Sequence, residues 1–312
     1  MKLGVRAMRS VLWIVVLALF STGWLFHSPP EKTDCQLRVE LVDAQTGKPI
    51  AGLIQILNAQ GKRVELDELM SRGLGLPANS TIQEWSILTQ PTTMTVPQEP
   101  LRIRAFSGLE TEYTEQELDL SDKGKATVKL ELKRFYNTHA EGYRNANTHV
   151  HLQKVTRQES DQYLVDSATA DGLDLVFVSY LERAEADAHY TTNRYTPKEL
   201  HALSTDHVHF GHGEEHRHNF GPGGEGYGHV MLLNIPELVY PVSIGPGISR
   251  VGTDGIPVKR GIDRAREMGG TVIWCHNMLG LEDIPNWLAG RLQANNIFDG
   301  GTHGSYRHSF YR

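Results

Sequence analysis

The chain has 312 residues, enough for two domains of roughly 100–200 residues each. Its net charge of −6 supports neither nucleic acid nor an anionic membrane surface as a partner. Two cysteines, Cys35 and Cys275, are too few for a disulfide framework, and the absence of Cys-x-x-Cys argues against a sulfur-ligated structural zinc site.

The first 30 residues have the pattern of a targeting segment. Lys2, Arg6 and Arg9 precede an apolar run at residues 11–26, which ends before Pro29. A basic flank and a short apolar core predict either a signal peptide or an uncleaved N-terminal membrane anchor. Both interpretations export the rest of the chain, so we expect it to be periplasmic, secreted or anchored to the outer face of the inner membrane.

Residues 31–134 predict a small all-β sandwich domain. Apolar and charged residues alternate at 37–41, and strand patterns recur at 53–57, 63–66, 101–105 and 126–132, separated by turn residues. Prolines and glycines within 67–99 predict an irregular excursion. No candidate catalytic residue lies in this segment.

Residues 135–312 predict an α/β domain. The strand carrying His149 and His151 is followed by a helix at 162–170 and an apolar strand at 175–178, which together form a βαβ unit. A second unit has a helix at 258–268 and a strand at 271–275, followed by His276. Sites in α/β folds lie at the carboxyl ends of such strands.

The two histidines of Asn147-Thr148-His149-Val150-His151 point to one side of an extended strand, since side chains alternate. Two imidazoles so placed can bind one divalent metal. The alternative is two polar residues on the solvated face of a strand.

A histidine-rich segment at 207–218 contains Glu214 and Glu215 and is followed by a glycine-rich loop and His229. One interpretation is a polar surface loop that binds metal without specificity. The other is a metal site, because mixed carboxylate and imidazole ligands suit zinc, manganese or iron. Several such ligands suit a two-metal hydrolytic site.

Four motifs occur in the order NTHVHL, ATADGLDLVFVS, GEEHRHN with GYGHVMLLNI, and AREMGGTVIWCHN. In this layout the chain resembles the PHP (polymerase and histidinol phosphatase) superfamily, and more narrowly the CehA/McbA-type metallohydrolases. The earlier stretch VDAQTGKPIAGLIQILNAQGKRV resembles the carboxypeptidase-regulatory-like β-sandwich. The PHP resemblance implies a distorted β/α barrel, one to three divalent ions and a small-molecule substrate.

The resemblance also implies a ligand set. Its motifs carry metal-ligand roles onto His149, His151, Glu215 and His276, with Glu214 as the alternative to Glu215 if the alignment slips by one. His229 matches the Gly-His position of the family.

Two departures from the family pattern bear on the expected activity. Ser179-Tyr180-Leu181 stands where the family has Thr-Asp-His, and no late Asp-x-His motif precedes Arg312. We therefore expect either an incomplete metal site or a domain truncated at its C-terminus. The leading hypothesis is an exported hydrolase that uses a metal-activated water on an ester, amide or phosphoester. The alternatives are a non-catalytic metal- or ligand-binding descendant and an extracellular binding protein that acts through the sandwich.

Overall fold

The structure is a computed structural model that describes residues 33–182, 190–219, 226–245, 256–275 and 281–295. The predicted targeting segment and His276 lie outside the described residues. No described helix has both the length and the apolar character needed to span a membrane.

Residues 33–134, here called the β region, form two sheets. One sheet has the order β4-β1-β7 and the other β3-β2-β5-β6. The strands are β1 Asp34–Asp43, β2 Gly52–Asn58, β3 Ser86–Leu88, β4 Thr92–Pro97, β5 Pro100–Phe106, β6 Thr114–Asp119 and β7 Lys125–Leu132.

The two sheets of the β region share one apolar core. Alternation in β1 buries Leu37, Val39 and Leu41, and these contact Ile54 and Ile103 of the opposite sheet within one cluster. Burial of this face is the main stabilising term, at about 25 cal/mol per Å² of apolar surface.

Two expectations for the β region were wrong. The segment 63–66 is not a strand, and only Arg63 bridges Leu57. The segment 67–99 is not wholly irregular, since it contains β3 and β4. Prolines and short lengths hide the strand pattern of β3 and β4 in the sequence. In the structure β3 is hydrogen-bonded to β2, and β4 is hydrogen-bonded to β1.

Residues 135–295, here called the α/β region, contain a third sheet. Within the described residues its strand order is β14-β13-β11-β10-β9-β8, with β12 beside β10. The strands are β8 Ala146–Val150, β9 Leu175–Tyr180, β10 His209–Asn219, β11 Gly226–Leu233, β12 Ser243–Ile244, β13 Thr271–Trp274 and β14 Ala294–Asn295. The helices are α1 Arg157–Ala170, α2 Pro197–Leu203, α3 Lys259–Glu267 and α4 Asp283–Leu288.

The first predicted βαβ unit is present. Strands β8 and β9 pair in parallel, with α1 between them in the chain. Helix α1 begins earlier than predicted because Thr156 and Glu159 form a capping box. The helix packs Leu164 and Ala168 onto Val176 of β9.

The second unit differs from the prediction. Helix α3 and strand β13 are present, but β13 runs antiparallel to β11. Strand β10 is also antiparallel to β11, so the sheet is mixed. Helices cover one face of this sheet, and the other, here called the inner face, carries the site described below.

The histidine-rich segment is the largest departure from expectation. Neither the surface-loop nor the metal-site interpretation placed it in a strand, but residues 209–219 form β10, in the interior of the sheet order. Residues 213–218 are all buried. Gly211 and Gly213 conceal the strand pattern, and they are required because an added Cβ would lie 2.5 Å from the Phe177 ring and 2.9 Å from the Leu232 carbonyl oxygen, respectively.

Candidate metal centre

The His-x-His pair lies at the end of β8. The side chains of His149 and His151 share the inner face, as alternation predicts, and their Nε2 atoms lie 2.9 Å apart. The rings meet edge to face, with centroids 4.8 Å apart and an interplanar angle of 88°. Both lone-pair nitrogens therefore point toward one place.

Glu215 of β10 brings a carboxylate to the same place. Its Oε2 atom lies 2.9 Å from Nε2 of His151 and 3.4 Å from Nε2 of His149. Two ligands at about 2.1 Å from a metal lie roughly 3.0 Å apart at a right angle and roughly 3.4 Å apart at the tetrahedral angle. The three donor atoms thus have the separations that a zinc, manganese or iron ion requires.

The second nitrogen of His151 sets its orientation. Nδ1 donates to the backbone carbonyl of Ser179 at 3.1 Å, which leaves Nε2 as the lone-pair atom. Burial lowers the pKa of His151 despite the opposing effect of Glu215, so the imidazole is neutral. A neutral imidazole with a fixed tautomer is the form that binds metals.

The other oxygen of Glu215 has two further neighbours. Nδ1 of His229 lies 3.3 Å from Oε1, and Nε of Arg217 lies 4.0 Å from it. Arg217 and His229 are paired positions of β10 and β11, so both face the site. Arg217 also donates to the Glu182 carbonyl at 2.6 Å. His229 is therefore connected to the site by its approach to the Glu215 carboxylate.

Arg217 was not anticipated from the sequence. Its two-residue spacing from Glu215 would have placed it at the site had β10 been predicted as a strand.

Glu214 points to the opposite face of β10. Its Oε1 atom is hydrogen-bonded to Nδ1 of His216 at 2.8 Å, and Oε2 accepts from the Val239 amide at 2.8 Å. Burial raises the pKa of Glu214 to about 8 against the lowering effect of the Val239 hydrogen bond. The structure therefore brings Glu215, and not Glu214, to the His-x-His pair.

His216 and His218 continue the row that begins at Glu214. Burial lowers the pKa of each to about 3. Nδ1 of His218 donates to the Ile256 carbonyl at 2.6 Å. In the described part of the chain neither Nε2 atom has a hydrogen-bond partner. These histidines are buried, neutral groups under helix α3, which excludes the surface-loop interpretation for them.

His276, the fourth predicted ligand, lies outside the described residues. The residue before it, Cys275, is buried, and its amide donates to the His229 carbonyl at 3.1 Å.

No protein-family model matches this chain, and no curated protein does. Among solved structures, a two-domain protein from Bacteroides vulgatus containing a predicted PHP-like metal-dependent phosphoesterase is 14% identical, with a TM-score of 0.28 over 49% of this chain and 42% of that one.

Two structures of the shaft pilin SpaA from Lactobacillus rhamnosus GG are also similar. The first is 8% identical, with a TM-score of 0.21 over 34% of this chain and 52% of that one. The second, a C-terminal domain, is 11% identical, with a TM-score of 0.19 over 33% of this chain and 99% of that one. The matches thus span about half the length of the first two structures, and TM-scores this low do not establish a shared fold.

Proposed function

We propose that this chain is an exported metal-dependent hydrolase of PHP-like fold, close to the CehA/McbA type. Its ligands would be His149, His151, Glu215 and His276, with His229 beside them, around one to three divalent ions. The observation that carries the proposal is the convergence of three donor atoms, from two separate strands, at metal-ligand spacing.

The proposed reaction is hydrolysis of an ester, amide or phosphoester. A divalent ion held by these residues would lower the pKa of a water molecule, so that hydroxide would be available near neutral pH. The water oxygen forms a bond to the carbonyl carbon or phosphorus, the bond to the leaving oxygen or nitrogen breaks, and the leaving group takes up a proton.

The chain's own residues prepare this site in two ways. The Ser179 carbonyl holds the His151 ring in one tautomer. Arg217, whose Nε lies 4.0 Å from Oε1 of Glu215, places a permanent positive charge beside this carboxylate.

A non-catalytic metal-binding protein is the second candidate. Ser179-Tyr180-Leu181 ends strand β9, where the PHP pattern has an Asp-His pair, and Leu181 is only 2% exposed. Neither an aspartate nor a histidine stands at these three positions, so the general acid is unassigned.

Isothermal titration with zinc and manganese tests the ligand set. His149→Ala, His151→Ala and Glu215→Gln should each weaken binding by more than about tenfold, since even indirect partners of a metal contribute about 10–100-fold. Glu214→Gln is the matched control, because it changes the adjacent carboxylate on the opposite face. Equal affinity of the wild type and His149→Ala would exclude the site.

Activity assays separate the two candidates. The metal-loaded wild type should hydrolyse p-nitrophenyl acetate or p-nitrophenyl phosphate, and Glu215→Gln should lose this activity. Binding of metal without hydrolysis of any ester, amide or phosphoester would favour the non-catalytic protein.

Export and the nature of the β region also belong to the proposal. We propose that residues 1–30 export the chain and that residues 31–134 are a carboxypeptidase-regulatory-like sandwich. A reporter fused after Pro30 should reach the outside of the cytoplasm, whereas retention inside would contradict export.

A further inference from the structure

Tyr190 brings a phenol to the candidate metal centre from a segment that follows β9 in the chain. Its ring meets the His151 ring edge to face, with centroids 5.9 Å apart and an interplanar angle of 76°. This separation is typical of an aromatic contact. The Nε2 atom of the same imidazole points to the place where the three donor atoms converge. Tyr190 is therefore in contact with one of the proposed ligands.

Backbone pairing directs the Tyr190 side chain to the inner face. Residue 190 forms an antiparallel bridge with Gln153, and the Thr191 amide donates to the Leu152 carbonyl at 2.7 Å. Directly paired residues of antiparallel strands have their side chains on the same face. Alternation continues past the end of β8, since Leu152 packs into the apolar cluster on the helix-covered face. Gln153 and Tyr190 therefore share the face of His151.

The segment that carries Tyr190 is held in place by its neighbours. The Thr191 side chain is buried, and its hydroxyl donates to the Val155 carbonyl at 2.8 Å. The side-chain oxygen of Asn193 accepts from the Leu181 amide at 2.8 Å, and its nitrogen donates to the Leu181 carbonyl at 2.5 Å. Leu181 directly follows β9, so these bonds fix the segment to the carboxyl end of that strand. Sites in α/β folds lie at such ends.

The hydroxyl of Tyr190 is available to a ligand. Across the part of the chain that the structure describes, it forms no hydrogen bond, and the residue is only half-buried. By contrast, the buried Tyr195 hydroxyl donates to Asp161 at 2.5 Å. A phenol hydroxyl can both donate and accept a hydrogen bond. Tyrosine is also among the side chains that transfer protons to reacting groups.

We propose that Tyr190 is the proton donor of the candidate metal centre: its hydroxyl donates a hydrogen bond to the bound substrate and then its proton to the leaving oxygen or nitrogen. The inference rests on the proposed function and supplies the general acid that is unassigned there. As the bond to the leaving group breaks, the O–H bond of Tyr190 breaks and a new O–H or N–H bond forms on the leaving atom. The phenolate then takes back a proton from solvent, which received one when the attacking water became hydroxide.

Substrates with different leaving groups test the proton transfer. Phenyl phosphate or acetate releases a more basic anion than the p-nitrophenyl ester does, so its hydrolysis depends more on an acid. Tyr190→Phe keeps the ring and removes only the hydroxyl. It should lower kcat/KM of the metal-loaded chain by about 10²–10⁴-fold for the phenyl ester, the usual contribution of a positioned acid, and by less than about tenfold for the p-nitrophenyl ester.

Tyr143→Phe is the matched control. Tyr143 is 66% exposed and precedes the start of β8, whereas the histidines lie at the other end of that strand. The same loss of a hydroxyl there should leave kcat/KM for both esters at the wild-type values.

Binding of inorganic phosphate to the zinc-loaded chain provides a measurement without turnover. Isothermal titration should show phosphate binding weakened about 10–100-fold in Tyr190→Phe, the effect of losing one hydrogen bond to a charged group. The zinc affinity of this variant should equal that of the wild type. Wild-type phosphate affinity in Tyr190→Phe, with a loss only in Tyr190→Leu, would assign the effect to the ring and overturn the inference.

These measurements separate the inference from the proposed function. Hydrolysis of both esters that is as fast in Tyr190→Phe as in Tyr143→Phe overturns the inference while the hydrolase proposal stands. Phosphate binding that weakens in Tyr190→Phe, with no ester hydrolysed by the wild type, supports the contact of Tyr190 with a bound oxyanion while the hydrolase proposal fails. A zinc-loaded wild type that neither binds phosphate nor hydrolyses either ester overturns both.

Discussion

At the scale of single residues, the adjacent carboxylates Glu214 and Glu215 differ through alternation alone. Glu215 faces the two imidazoles at metal-ligand spacing, whereas Glu214 faces His216 under a helix. Burial favours the protonated form of Glu214 and the neutral form of His216. The two adjacent carboxylates therefore meet different partners on the two faces of one strand.

Glu214 should make stability fall as pH rises. Its pKa is about 8 in the folded chain and 4.5 without burial, so between these values the folded state holds a proton that the unfolded state lacks. The stabilisation is complete below pH 4.5 and is lost through pH 8, at about 1.4 kcal/mol per pH unit. Glu214→Gln removes this dependence.

Urea unfolding of the metal-free wild type and Glu214→Gln at pH 5, 6.5 and 8 measures the difference. The variant should gain stability relative to the wild type as pH rises, since all other titrating groups cancel in the comparison. A difference that is constant with pH would contradict the protonated state of Glu214.

The buried histidines act in the opposite direction. His216 and His218 have pKa values of about 3 when folded and 6.5 without burial, so the unfolded state binds more protons in that interval. Their stabilisation is present above pH 6.5 and is lost as pH falls through 3. Acid titration followed by circular dichroism should show His218→Gln losing less stability than the wild type between pH 6.5 and 4.

At the scale of elements, β10 joins the site to helix α3. Gly261 of α3 lies over the His216 ring, where an added Cβ would approach Nε2 to 2.1 Å. The ring cannot move aside, because Glu214 holds Nδ1 and the residue has no exposed surface. Helix α3 can therefore cover the sheet only with glycine at this position.

Gly261→Ala should lower the free energy of unfolding by about 1–3 kcal/mol, the usual effect of overpacking a core. Gly124→Ala is the control, since no atom lies within 4 Å of its added Cβ and the change should stay within about 0.5 kcal/mol. Chemical denaturation of both variants is the measurement, and equal stabilities would contradict the close approach of α3.

At the scale of the whole molecule, the β and α/β regions share an apolar cluster. Leu53 and Ile87 of the β region pack with Tyr163 and Ala170 of α1. Glu110 adds a polar connection, because it accepts from the Thr138 amide at 3.1 Å. The domain boundary near residue 134 remains a prediction, and it falls within this contact.

Glu110 should control how readily a protease cleaves the segment that connects the β region to the α/β region. Burial opposes its ionisation, but hydrogen bonds, mainly from Thr138, outweigh burial and lower its pKa. Glu110→Ala should therefore speed tryptic cleavage after Arg134 or Arg144 roughly tenfold, given about 1.5–3 kcal/mol for hydrogen bonds to a charged group.

Glu112→Ala is the control for this experiment. Glu112 is largely exposed, and its carboxylate forms a surface ion pair with Lys133 at 2.8 Å, an arrangement that contributes little to stability. Gel electrophoresis over time gives the rates. Equal cleavage of the two variants would show that the Glu110 contacts do not hold the segment.

The sequence by itself determined the features that depend on local periodicity. Alternation predicted strands β1, β2, β5 and β7, and it placed His149 and His151 on one face. Apolar periodicity and helix-ending glycines located α1 and α3 to within a few residues. Such features follow from 2- and 3.6-residue repeats, which need no knowledge of distant contacts.

Only the tertiary structure decided that residues 209–219 form an interior strand. It also decided that Glu215, rather than Glu214, faces the histidines. Finally, it brought Leu74 and Leu76 to a cavity that His149 also lines. Composition left both a surface loop and a metal site open for the histidine-rich segment, and pairing with β9 and β11 and cover by α3 bury it. The burial of a segment and its strand partners depend on which distant parts of the chain pack against it. The local sequence of the segment does not encode those contacts.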